Sequence, residues 1–199
     1  MSIKLVVDSS SDLPRSYISE NNIKVVPLYV VFDKEEYKDG VDITPSEFYH
    51  KLTNSAVMPS TSQVSPDRFA KAFTDILDHG DEVLCITIGS NASGTCQSAF
   101  LAKDMTDAER VSVIDSNALC MGTGYMAILA VDLINKGLGR DEIVSQLKPY
   151  TQNRIEHLFC VDTIEFLKKG GRIRASKAFV AEILNIKQKP RRLYKAMTN

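Results

Sequence analysis

The 199-residue chain is long enough for one substantial domain with a sizeable core, or for one domain and part of a second. Its 24 basic and 25 acidic residues nearly cancel, so no global field favours nucleic acid or an anionic membrane, and partners are expected to be recognised locally. No run approaches the roughly 20 apolar residues that a membrane-spanning helix needs, and MSIKLVVDSSSD begins a strand rather than a signal peptide, so the expectation is a cytoplasmic protein with no transmembrane segment.

In chain order, IKLVVD (Ile3 to Asp8) reads as a buried strand, and SSSDLPRSYISENN supplies cap residues and a short helix. IKVVPLYVVF (Ile23 to Phe32) reads as a second strand, placed at an edge or bulged because Pro27 cannot donate to a ladder. TPSEFYHKL opens a helix with Thr44 as cap, Pro45 in the first turn and Glu47 completing a capping box. A polar connector, MPSTSQV, leads to SPDRFAKAFTDILDHG, where Ser65 and Pro66 repeat the device, Phe69, Phe73, Ile76 and Leu77 form a helical stripe, and Gly80 ends it. EVLCITI (Glu82 to Ile88) is apolar on both faces, as a strand covered by helices on both sides must be. A helix over TCQSAFLAKDM follows, then strand VSVID (Val111 to Asp115), a long helix around GYMAILAVDLINKG, and an amphipathic segment with Ile143 and Leu147 that Pro149 kinks or ends. HLFCVD (His157 to Asp162) reads as a last strand. The alternation predicts an α/β fold, an open, mostly parallel, doubly wound sheet with helices on both faces. TIEFLKKGGRIRASKAFVAEILNIK breaks the rhythm and is read as the start of a smaller α+β C-terminal lobe, which sets expected domains at 1–160 and 161–199.

In such a sheet, ligands collect outside the carboxyl ends of the strands. Three strands exit into hydroxyl-rich segments, DSSSD, GSNASGT and DSNA, which share one rim if the sheet is parallel; TSQ (Thr61 to Gln63) can fold over it. Hydroxyls, amides freed by glycine and helix N-termini together suit an anion. The rim carries no lysine, arginine or histidine and nothing matches GxxxxGK[ST], so a monoanion such as a carboxylate fits better than a polyphosphate. Serine, asparagine and glycine are also what a strand-to-helix turn needs for capping, and each loop alone is more often structural than functional.

Two other chemistries have sequence support. Ser93 lies in a strand, small-x-Ser-x-small, helix context like a nucleophile elbow, and Asp115 and His157 follow in the order Ser, Asp, His, which allows a serine hydrolase; Asn91 breaks GxSxG and His157 opens an apolar strand. A phosphate- or sugar-binding α/β protein is the other alternative. GTGYMA matches G-x-G-x-x-G/A but begins too far past its strand, so close helix packing is the better account of Gly122 and Gly124. The four cysteines, without a CxxC pair, read as buried reduced thiols, and Asp8, Asp115 and Asp162 read as helix caps rather than a metal site. KKGGRIR (Lys168 to Arg174) is a solvated basic turn by default and a docking patch otherwise.

VVDSSSDLP, STSQVSPDRF, SNASGTCQSA, VIDSNALCMGTG, and DTIEFLKKGGRI followed by ILNIK resemble, in order and spacing, the DegV family of bacterial fatty-acid-binding proteins, from about Lys4 to Lys187. The resemblance implies a two-lobed, non-enzymatic lipid-binding protein that holds one long-chain fatty acid such as palmitate, with the acyl tail in an apolar tunnel and no cofactor or metal. It places the carboxylate on Thr61 and Ser93, with Ser62, Gly94 and Thr95 shaping the same pocket. It further implies a partner, the ATP-binding subunit of a fatty acid kinase, to which the acid is presented for acyl phosphate formation. The chain departs from the family pattern after Lys187, where QKPRRLYKAMTN reads as a basic, frayed tail of a truncated or frame-shifted second lobe. Much of the tunnel lid is then expected to be missing, with a loss of affinity, since about 0.8 kcal/mol rides on each buried CH₂.

Overall fold

The computed structural model describes residues 2–55, 57–154 and 169–171. The chain divides into two units, residues 1–156 and 157–199, and every element named below belongs to the first. In chain order these are β1 (Ile3–Asp8), a single 3₁₀ turn (Ser9–Ser11), α1 (Arg15–Glu20), β2 (Lys24–Val26), β3 (Tyr29–Phe32), β4 (Glu35–Lys38), α2 (Pro45–Asn54) and β5 (Ser60–Ser62). They continue with α3 (Pro66–Leu77), β6 (Glu82–Thr87), α4 (Thr95–Met105), β7 (Val111–Asp115), α5 (Met121–Asn135) and α6 (Arg140–Pro149).

Four strands form a parallel sheet in the order β2-β1-β6-β7. Because side chains alternate along a strand, each buried strand feeds two cores at once. Leu5 and Val7 of β1 and Leu84 and Ile86 of β6 face Met126, Ala127 and Ala130 of α5 and Ile143 and Leu147 of α6. Val6, Val83 and Cys85 point the other way, onto Phe69 and Phe73 of α3 and Ala99 and Ala102 of α4. Helices therefore cover both faces, and the expected α/β architecture stands.

The predicted second strand over Ile23 to Phe32 is two strands in two different sheets. Pro27 has no N–H to give to a ladder, and the Leu28 amide that follows donates instead to the Ser9 hydroxyl at 3.1 Å. The chain leaves the parallel sheet there, with β2 as its edge, and re-enters pairing as β3 at the centre of an antiparallel sheet of order β4-β3-β5. FDKEEYKDG forms the unforeseen hairpin arm β4, turning through Asp33 at a positive φ of 54°. Part of the expected polar connector is likewise a strand, since β5 pairs with β3 in the register Val30 to Thr61 and Tyr29 to Ser62. A small cluster of Val30, Phe32 and Ile43, with Tyr37 and Phe48 against it, fixes α2 to this sheet.

The helix starts follow local chemistry. Thr44 accepts from the Glu47 amide at 3.3 Å while the Glu47 carboxylate accepts from the Thr44 amide at 2.8 Å, the reciprocal capping box. Ser65 caps α3 without a side-chain hydrogen bond, and Pro66 occupies its first turn. Pro149 closes α6, and one π-helical turn, Tyr150–Arg154, follows. The expected strand over His157 to Asp162, most of the basic turn and the tail lie outside the described residues.

Gly122 and Gly124 fall inside the first turns of α5 and are buried, so packing accounts for the GTGYMA pattern. A Cβ on Gly124 would lie 2.3 Å from the Ser11 carbonyl oxygen, a backbone atom with no rotamer to escape into. Gly124→Ala is expected to destabilise the fold by about 1–3 kcal/mol in urea unfolding, as overpacking does; an unchanged midpoint would show that α5 does not press on this turn.

Candidate functional site

In the strand order β2-β1-β6-β7 the chain runs outward from β1 in both directions, so the topological switch lies between β1 and β6. The loop leaving β6, which carries Gly89 to Gly94, sits at that point. A carboxylate from each neighbouring strand end holds it. Asp8, the last residue of β1, is buried; one oxygen accepts from the amide and hydroxyl of Ser10 and the other from the Ile88 amide at 2.7 Å. Asp115, the last residue of β7, accepts from the Ser90 amide at 3.1 Å and from the Asn117 amide at 2.9 Å.

The two brackets share a design. In each, an aspartate at a strand end takes the N–H two residues on, making a local turn, and then a second N–H from the central loop. The Gly89 amide also donates to the Ala118 carbonyl at 2.8 Å, and a Cβ at Gly89 would stand 3.0 Å from the Ala118 nitrogen. Asn91 and Asn117 join side chains at 3.0 Å. The three hydroxyl-rich segments predicted to share a rim do share one.

Expected donors are reduced by this arrangement. Amides of Ser10, Ile88, Ser90 and Asn117, which a glycine- and serine-rich rim was expected to offer to a ligand, already face the protein's own carboxylates. The N-terminus of α4 is the part of the rim with hydroxyls grouped around a helix end. Ser93 is half-buried, its hydroxyl 2.9 Å from that of buried Thr95 and accepting from the Thr95 amide at 3.2 Å; Gly94 is the exposed residue preceding the helix. The helix dipole adds partial positive charge at this spot.

Thr61 and Ser62 lie on β5, both exposed, and the next residue carries that strand to α4. The Gln63 side-chain amide donates to the Ser98 hydroxyl at 3.3 Å, and its carbonyl oxygen lies over Gly94, 2.0 Å from where a Cβ would be. The Gln63 side-chain oxygen occupies the space beside Gly94 that a Cβ would take. The segments holding Thr61, Ser62, Ser93, Gly94 and Thr95 are tied together through Gln63, the third residue of the TSQ motif.

The hydrolase arrangement finds no support here. The Ser93 hydroxyl pairs with Thr95 rather than a histidine, Asp115 is engaged by two amides, and His157 lies outside the described residues. Cys85 and Cys96 are buried free thiols as expected, but Cys120 is exposed, and Cys160 lies outside the described residues. Among the described residues no group of His, Cys, Asp and Glu is placed to hold a metal ion, and no helix is long and apolar enough to cross a membrane. A cleft of about 600 Å³ between β4 and α2 mixes Lys34, Lys51 and His50 with Asp33 and Glu35, and its Lys51 ammonium already sits over the Tyr37 ring, 5.0 Å from the centroid.

The described residues thus form a parallel α/β sheet whose switch-point loop presents hydroxyls at the start of α4. Residues 2–188 match the model of the DegV family, described as uncharacterised proteins, and the chain belongs to that family. The DegV domain-containing protein of Caldanaerobacter subterraneus subsp. tengcongensis is 40% identical over 185 residues, covering 93% of this chain and 65% of its own. This chain therefore spans just under two thirds of that relative. Among solved structures, a DegV family protein from Thermus thermophilus described for its fatty acid binding superposes with a TM-score of 0.82 at 38% identity, over 94% of this chain and 66% of that one. A stearic acid-binding protein from Eubacterium ventriosum gives 0.78 at 30% identity, over 88% and 63%.

The cap role that the sequence suggests for Asp8 and Asp115 is only half of what each does, since each also holds an amide of the central loop. The signal that would have found their second role is the repeated Asp-Ser at the ends of the two strands that flank β6. Burial pushes the Asp8 carboxyl above its ordinary value of 3.8, with the Ser10 and Ile88 donors partly opposing the shift. The folded protein then holds this proton to higher pH than the unfolded chain, so stability falls as pH rises from 3.8 through the raised value. Asp8→Asn lacks that titration. The unfolding free energy of the variant minus that of the native protein is expected to rise across this window and level off above it, read by urea unfolding at a series of pH values; a flat difference would mean that the carboxyl is unperturbed.

Proposed function

We propose that the protein binds one long-chain fatty acid, its carboxylate accepting from Thr61 and Ser93, with Ser62, Gly94 and Thr95 shaping the head-group pocket and the acyl tail in an apolar groove. The observation that carries the reading is the Gln63 bridge, which ties the strand bearing Thr61 to the helix end bearing Ser93. Support also comes from the absence of lysine and arginine in Asp8–Leu13, Thr87–Thr95 and Asp115–Cys120, which suits a monoanion, and from relatives described as binding fatty acids, one of them stearic acid.

In this reading the protein is a non-catalytic lipid-binding module of the cytoplasm. It has an N-terminal lobe over 1–160 and the start of a second lobe over 161–199, and it uses no cofactor. It presents the acid to a separate ATP-binding kinase subunit for acyl phosphate formation, an extension that rests on the family resemblance alone.

Native extraction followed by mass spectrometry of the purified protein is expected to release a long-chain acid. Ser93→Ala and Thr61→Ala are each expected to weaken binding of that acid by about 1–3 kcal/mol, because a carboxylate oxygen loses a charge-assisted donor. Unchanged affinity in both variants would place the head group elsewhere.

A further inference from the structure

β2 is the edge of the parallel sheet, with β1 on one side and, among the described residues, no strand on the other. A groove of about 280 Å³ follows this edge, between β2 and α3. Val25, Pro27 and Ala72 give it an apolar floor, and Lys24, Lys38, Arg68 and Lys71 give it a cationic rim against one carboxylate, Asp75. None of these four cations takes part in an ion pair among the described residues. Arg68 is the one held in place: its guanidinium carbon lies 4.2 Å from the centroid of the Tyr29 ring, and one N–H donates to the Pro27 carbonyl at 3.3 Å. A guanidinium has five N–H donors, so others remain for a carboxylate. Lys38 stands opposite Tyr29 in the β3–β4 register, and Lys71 follows Arg68 by one helical turn, so both belong to the same cluster.

We infer that this groove docks an extended acidic segment of a partner protein, added as a strand to the free edge of β2. A lysine and a proline on an edge strand often serve only to deter such pairing. Here three of the four cations lie off the strand, on α3 and β4, and line the same groove. Repulsion among like charges costs free energy, and an acidic partner removes that cost. The strand edge selects the class of partner. A small phosphate ester would use the cations but neither the backbone edge nor the apolar floor, and a flat bilayer would reach only the rim. Strand addition also predicts a pattern for the segment. Val26 packs into the core beneath α3 and Val25 against the opposite core, so Lys24 shares the α3 side with Val26. A segment that alternates acidic and apolar residues then sets its carboxylates toward Lys24, Arg68 and Lys71 and its apolar side chains beside Val25. The inference stands apart from the fatty acid reading, since neither Thr61 nor Ser93 lines the groove.

The experiment titrates the full chain with an end-blocked peptide of alternating glutamate and valine, and with the same peptide carrying lysine for glutamate, by calorimetry and amide NMR. The acidic peptide is expected to bind, to shift the amide signals of Lys24 and Val25, and to lose affinity as salt is raised. Lys24 and Lys71 are exposed, so Lys24→Glu and Lys71→Glu are each expected to unfold at the native urea midpoint and to weaken the peptide about fivefold or more. Failure of the acidic peptide to bind at millimolar concentration, equal binding of the lysine peptide, or native affinity in both variants overturns the inference. Binding that leaves the β2 amide signals in place and is displaced by inorganic pyrophosphate overturns it too, in favour of a phosphate site. Should one variant fail to fold, the affinity of the other decides.

Discussion

The loop at the switch point of the sheet is held by two carboxylates belonging to the strands on either side of it. This constraint organises the rest of the rim. Asp8 reaches the Ile88 amide across 80 positions of sequence, and Asp115 reaches the Ser90 amide across 25. Because each aspartate also takes the amide two residues on, its own loop and the central loop are locked in one piece. Four amides of the rim are thereby matched to the protein's own carboxylates, which leaves recognition in the proposed site to the hydroxyls and the helix end.

The parallel sheet makes this possible by delivering three strand ends to one edge. Its rigidity comes from two cores, one on each face, built from alternate residues of the same strands. The antiparallel sheet is a second layer of positioning. Pro27 ends β2, the Leu28 amide turns to Ser9, and β3 then aligns β5, so that Thr61 occupies a defined register opposite Val30. The segment following Asp8 thus anchors both parts of the proposed pocket: Ser9 restrains the strand that positions β5, and Asp8 restrains the loop that leads to α4.

Glycine placement follows from close approach. Gly124 lies beneath the Ser11 carbonyl and Gly94 beneath Gln63, and in both cases the space a side chain would need is taken by a group that serves the rim. These contacts explain why small residues cluster here without invoking a nucleotide or a nucleophile. The GTGYMA pattern is a consequence of packing, since both of its glycines are buried in the first turns of α5, and among the described residues the Ser93 hydroxyl pairs with Thr95.

Features that depend on neighbours along the chain are legible in the residues alone. Strands apolar on both faces, spaced by amphipathic helices, require a covered parallel sheet; the Thr44 and Glu47 pair dictates a capping box; and the ordered DSSSD, TSQ, SGT and DSNA motifs mark the rim and the family. Features that depend on partners far apart in the chain emerge only from the assembled fold. Whether an amide is free for a ligand is settled by which acceptor reaches it, and Asp8 and Asp115 reach amides of a strand exit that no local pattern links to them. The split at Pro27 is similar, because a proline tells where a ladder must stop, while only the assembled fold offers the Ser9 hydroxyl and the β5 backbone that draw the following residues into another sheet.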